Sequence, residues 1–188
     1  MFMCKRTAAG LWTGLLFAGT LAGAADLPGE GRESLGLGRQ ATEAEMRAWD
    51  RDVSPTGEGL PAGKGTAQEG ARVFSAKCSS CHGATGTEGP APRLVGGQGT
   101  LATKNPVKTV GSYWPYATTL YDYIRRAMPF TAPQSLTPDE VYAVAAWILA
   151  QNGIIKNDAV MDAQTLPNVR MPNRDGFVPD PRPDVPHR

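Results

Sequence analysis

The residues best equipped for chemistry lie together in this chain, as Cys78-Ser79-Ser80-Cys81-His82. Two thiols three positions apart, with an imidazole directly after the second, could hold zinc, cycle as a disulfide, or carry a porphyrin. A structural zinc site needs four nitrogen or sulfur ligands. The remaining cysteine and histidine are Cys4 and His187, at opposite ends of the chain. A thioredoxin-like redox pair follows a strand and opens a helix within a βαβ alternation, and the sequence has no such pattern. Heme attachment requires only what is present. Two thiols add across two vinyl groups, and the adjacent imidazole is carried beneath the iron. Cys78 and Cys81 are therefore read as the covalent carriers of one heme c, and His82 as its proximal iron ligand.

The sixth iron ligand decides what such a heme does. Methionine opposite histidine raises the reduction potential and suits electron transfer. After the N-terminal stretch the methionines are Met46, Met128, Met161 and Met171. Met128 ends the amphipathic segment PYATTLYDYIRRAM, and Pro129 stops the helix there. A methionine on an apolar stripe is usually core filler, but the helix end and the need for a soft ligand make Met128 the predicted distal ligand. Met171, in RMPN, shares the Met-Pro pair without a preceding helix and ranks second. His187 is a poor sixth ligand in a proline-rich tail. Pro92 and Leu94 follow the motif in PAPRLVGG. Either the Pro92 carbonyl accepts the His82 Nδ1 proton and fixes the ring, or the segment is a plain Gly/Pro loop. Spacing alone does not choose.

Three helices must position these groups. The first, TAQEGARVFSAK, runs into the motif, with Gly70 and Phe74 on one face suited to close packing. The second carries Leu120, Tyr123, Ile124, Ala127 and Met128 at helical spacing, with Asp122, Arg125 and Arg126 on the other side. The third opens at Thr137-Pro138-Asp139-Glu140, a capping box with proline in the first turn. Val141, Val144, Ala145, Ile148 and Leu149 form its stripe, Trp147 is expected to pack on the first helix, and Asn152-Gly153 ends it. A further short helix is expected after Thr42, carrying Met46 and Trp49. No strand pattern competes, so the predicted class is all-α, and so thin a core calls for a staple that a heme would supply.

The flanks have their own signatures. Lys5 and Arg6, an apolar stretch from about residue 8 to 23, and Ala22-Gly23-Ala24 read as a secretory leader cut after Ala24. The competing reading is an uncleaved anchor, which so short a run rich in Gly and Thr suits poorly. Cleavage leaves no stable membrane span. The expected organisation is a signal peptide over 1–24, an N-terminal extension over 25–65, a heme domain over 66–153 and a proline-rich tail over 154–188, either disordered or laid along a surface. With 19 Lys+Arg against 18 Asp+Glu the chain is near neutral, without the basic stripe that nucleic acid calls for.

GARVFSAKCSSCH, PRL, YIRRAMPF and LTPDEVYAVAAWIL together resemble class I c-type cytochromes. The resemblance implies that fold around one heme, a crossing of first and last helices at Gly70, Phe74 and Trp147, the Pro92 carbonyl on His82, and Met128 as distal ligand. LGRQATEAEMRAWDRDVSPTGEGLPAGKG, NPVKTVGSYWPYATTLYDYIRRAMPF and LPNVRMPNRDGF resemble the cytochrome c subunit of periplasmic sulfane dehydrogenase, and equally the heme subunits of sulfite dehydrogenases. Some members carry two heme domains, whereas this chain has one CxxCH. The resemblance implies a periplasmic, non-catalytic electron-transfer subunit. It would take electrons from a molybdenum-cofactor dehydrogenase subunit and pass them to a downstream cytochrome c. The alternatives are a heme enzyme acting directly on thiosulfate or peroxide, and a free-standing electron carrier.

Overall fold

The computed structural model describes residues 37–180 and 182. The leader expected over 1–24, with Cys4, lies outside the described residues, as do the first part of the extension and His187. Contacts divide the chain into units 1–41 and 42–188. Residues 37–41 of the first are irregular and exposed. The described helices and strands all belong to the second.

Its elements run α1 (Glu43–Trp49), β1 (Lys64–Thr66), α2 (Ala67–Lys77), α3 (Ser79–His82), α4 (Ala117–Ala127), α5 (Pro138–Gln151) and β2 (Val160–Asp162), with a 3-10 turn at Leu166–Asn168. Three helices begin in the same way. Thr42, Thr66 and Thr137 each accept a hydrogen bond from the backbone N–H three residues on, and Glu45, Glu69 and Glu140 reach back to the cap. Each box satisfies two N–H groups that the first turn leaves unpaired.

Helices α2 and α5 cross where a glycine permits contact of backbones. A Cβ on Gly70 would collide with the Ala143 carbonyl. One turn on, Phe74 stacks on Trp147 with centroids 3.9 Å apart. Helix α5 is buried from Val141 through Leu149 without interruption, so it is the central rod of the fold rather than the one-sided amphipathic helix expected. A helix apolar all round is one that its neighbours surround.

Helix α4 packs on α5 through Ala117, Leu120, Tyr121 and Ile124. The expected phase is rotated here. Tyr121 is fully buried against Tyr142, whereas Tyr123 is 48% exposed. Asp122, expected on the solvent side, is buried. Its Oδ1 accepts the Val53 N–H at 3.2 Å, and Arg126 holds both of its oxygens. The carboxylate thus gives the N-terminal extension an acceptor on the helix.

The tail differs most from expectation. Among the described residues it is neither disordered nor a simple surface wrap. Residues 160–162 pair antiparallel with 64–66, Gly65 opposite Met161, so the helical fold carries one small sheet. Met161, Leu166, Val169 and Met171 are buried in the main core. The short strand contains no proline and sits at an edge, where the restrictions on proline do not reach.

Candidate heme site

Helix α2 delivers the motif and α3 shapes it. The Cys81 and His82 amides both donate to the Cys78 carbonyl at 3.1 Å, a single helical turn. Residues at i, i+3 and i+4 share a helix face, so Cys78, Cys81 and His82 project to one side. The turn ends at Gly83, whose φ of +73° favours glycine, and where a Cβ would strike the Glu88 carbonyl. The chain then folds back. Ala91 N–H donates to the Cys81 carbonyl at 2.9 Å, and Leu94 N–H to the Gly86 carbonyl at 2.8 Å. That return path leaves His82 Nδ1 3.0 Å from the Pro92 carbonyl oxygen. The proton of this contact sits on Nδ1, because a carbonyl can only accept, and Nε2 keeps its lone pair for a metal.

Cys78 and Cys81 are not joined to each other as a disulfide. Burial pushes the Cys78 thiol up to about 11, opposed by the Lys77 charge and reinforced by Cys81. A disulfide-exchange pair works through a lowered thiol pKa; this environment does the opposite.

The methionines separate by burial. Met46 is 54% exposed on α1. Met161 and Met171 are packed in the core. Met128 caps the C-terminal end of α4, half-buried in an extended conformation, as a residue before proline prefers. Leu94, Trp114, Cys78 and Met128 are partly buried side chains at the margin of the main core, and Tyr123 meets Trp114 edge-on at 5.8 Å. A heme fits this donor set: two thiols and an imidazole on one face, the imidazole oriented through Nδ1, a thioether at a helix end, and apolar side chains left half-covered. His82 and Pro92 are in contact; the described contacts do not bring Met128 to His82. Sequence reasoning missed Asp122 and Tyr121, whose partners, Val53 and Tyr142, are distant in the chain.

The family described as cytochrome c oxidase, cbb3-type, subunit III matches residues 65–148. No curated protein matches the chain. A solved chain in the crystal structure of the sulfane dehydrogenase SoxCD from Paracoccus pantotrophus is 44% identical, with a TM-score of 0.73. The match covers 80% of this chain and 75% of that one. Likeness therefore extends well outside the heme-domain match, into the flanking segments. Among the described residues, no helix is long and apolar enough to cross a membrane. A c-type cytochrome domain implies covalently held heme c. The protein is a class I c-type cytochrome, and it belongs to the same family as that chain of the sulfane dehydrogenase.

Proposed function

We propose that this chain is the electron-transfer subunit of a periplasmic sulfur-compound dehydrogenase, exported by its leader and carrying one heme. Electrons arrive from a molybdenum-cofactor subunit that oxidises a sulfane or sulfite-type substrate, and leave to a downstream cytochrome c. The observation that carries this reading is the 44% identity to a sulfane dehydrogenase chain over 80% of the sequence. That span is too long for the heme domain alone to account for it.

Bound heme supplies a one-electron ferrous/ferric couple. Cys78 and Cys81 fix its position covalently, and the Pro92 carbonyl holds the His82 ring with Nε2 free to coordinate. Met128 serves as the distal ligand; its half-buried place at the end of α4 supports this, whereas Met171 is 1% exposed and already enclosed by core side chains. His82 and Met128 would be the two protein ligands of the iron, and a couple held by both would need little rearrangement when its charge changes.

The test is spectroscopic and biochemical. The ferric holoprotein should be low-spin with a methionine–iron charge-transfer band in the red, and Met128→Ala should abolish the band and lower the reduction potential. A high-spin wild-type spectrum would instead support direct heme catalysis. The native protein should co-purify from periplasm with a molybdenum-containing subunit; purification without one would support a free-standing carrier.

A further inference from the structure

Helix α5 ends at Asn152, and a helix end asks little of such a residue: one donor on a free carbonyl, as Asn152 Nδ2 gives Ile148 at 2.8 Å. Its other bonds leave the helix. Nδ2 also donates to the Leu94 carbonyl at 3.2 Å, and Oδ1 accepts the Gly96 N–H at 2.9 Å and Gln98 Nε2 at 3.3 Å. Gln98 Nε2 donates to the Asn152 backbone carbonyl as well, at 3.0 Å. An asparagine side chain has two N–H donors and one oxygen with two lone pairs, so every position is taken. The partners also fix which way the amide points, since carbonyls can only accept and the Gly96 N–H can only donate. Gly111 keeps the space open, because a Cβ there would collide with Asn152 Oδ1. Gly96 is held from its other side too: Thr109, 2% exposed, donates from Oγ1 to the Gly96 carbonyl at 2.5 Å.

The clamped segment is the one that carries Pro92. Pro92 and Arg93 are exposed, and a proline has no N–H to anchor it. The Pro92 backbone is therefore fixed from its flanks. Before it, Ala91 N–H meets the Cys81 carbonyl at 2.9 Å; after it, Leu94 N–H meets the Gly86 carbonyl at 2.8 Å, and Arg93 Nε the Thr87 carbonyl at 2.8 Å. Cys81, Gly86 and Thr87 all belong to the heme motif or its return loop. Asn152 instead ties that loop to the end of the central helix.

We propose, resting on the reading of His82 as the proximal iron ligand, that Asn152 is a positioning residue for it. By fixing Leu94 and Gly96 against the end of α5, Asn152 keeps the Pro92 carbonyl on His82 Nδ1, 3.0 Å away. That hydrogen bond orients the ring and makes Nε2 a more basic ligand. A more basic ligand favours ferric iron, so loosening the contact raises the reduction potential.

Asn152→Ala and the near-isosteric Asn152→Asp both remove the donor to Leu94, the second by setting a carboxylate oxygen against two carbonyls. Gly153→Ala is the control. Its φ of +66° strains a side chain, yet nothing lies within 4 Å of the added Cβ, so it weakens the same helix end without touching the loop. Each holoprotein is melted, titrated for its potential, and followed in the ferrous state by proton NMR for solvent exchange of His82 Nδ1–H. Both Asn152 variants should show a raised potential and exchange about two- to tenfold faster, the change in opening expected for one net hydrogen bond lost. Gly153→Ala should lower Tm and leave potential and exchange unchanged. If the Asn152 variants lower Tm but keep wild-type potential and exchange, Asn152 is a helix cap alone and the proposal is overturned. A wild-type spectrum without iron-shifted His82 ring protons would instead sink the proximal reading, and the proposal with it.

Discussion

Pro92 meets His82 through an atom that every residue possesses, its backbone carbonyl. The side chain is therefore dispensable to the contact while the loop path is not. Pro92→Ala should leave the heme spectrum and the potential unchanged in a redox titration. Its cost should appear only in thermal unfolding, at about 0.5–1 kcal/mol from the freer unfolded chain. The motif residues were legible in sequence because their chemistry resides in their side chains and their spacing is local. Asp122 was not. A helical wheel gives a period but not which neighbour each face meets, and this carboxylate is buried because the Val53 N–H, 69 residues away, requires an acceptor. Tyr121 and Tyr123 exchanged roles for a similar reason: either ring could face the core, and the partner that decides, Tyr142, lies on another helix.

At the scale of elements, the capping boxes and Gly70 were legible because each acts within a few residues or imposes a steric rule. Gly70→Ala should force α2 away from α5, since its Cβ would run into the Ala143 carbonyl and crowd the Trp147 side chain. The expected loss is about 1–3 kcal/mol by chemical denaturation, in the range of other overpacked sites. The caps also carry a pH dependence. Glu140 is held below its ordinary value of 4.5 first by the hydrogen bond from Lys77 and then by the Thr137 backbone. Glu69 is lowered likewise by Thr66. A carboxylate with a lowered folded pKa contributes stability that is present above the unfolded value and lost as pH falls through the folded one. Unfolding free energy should therefore decline from about pH 4.5 downward, and Glu140→Gln should make that decline shallower. The burial of α5 on every side could not be read from periodicity, because it reflects how many elements converge on that helix.

For the whole molecule, the core does not end where the heme domain expected from sequence does. Proline density after residue 153 signalled irregular backbone and did so correctly for most of the tail. Density of proline says nothing, however, about the apolar residues between prolines, and Met161, Leu166, Val169 and Met171 are all in the core. Burying one such side chain is worth about 1.5–3 kcal/mol, so four together rival the whole stability of about 5–15 kcal/mol typical of a domain. A chain ending at Gly153 should lose cooperative unfolding in a thermal melt. One ending after Val178, which is exposed, should melt close to wild type.

The pairing of Gly65 with Met161 also sets an order of events in time. A ribosome delivers the first of these residues long before the second. At about 5–20 residues per second, the intervening chain takes roughly 5–20 s to synthesise. Throughout that interval the clasp cannot close, and the segment holding both thiols is threaded between an early strand and a mate not yet made. The same separation that makes this contact slow to form favours access to Cys78 and Cys81 before the fold shuts, when a macrocycle has to be joined to them.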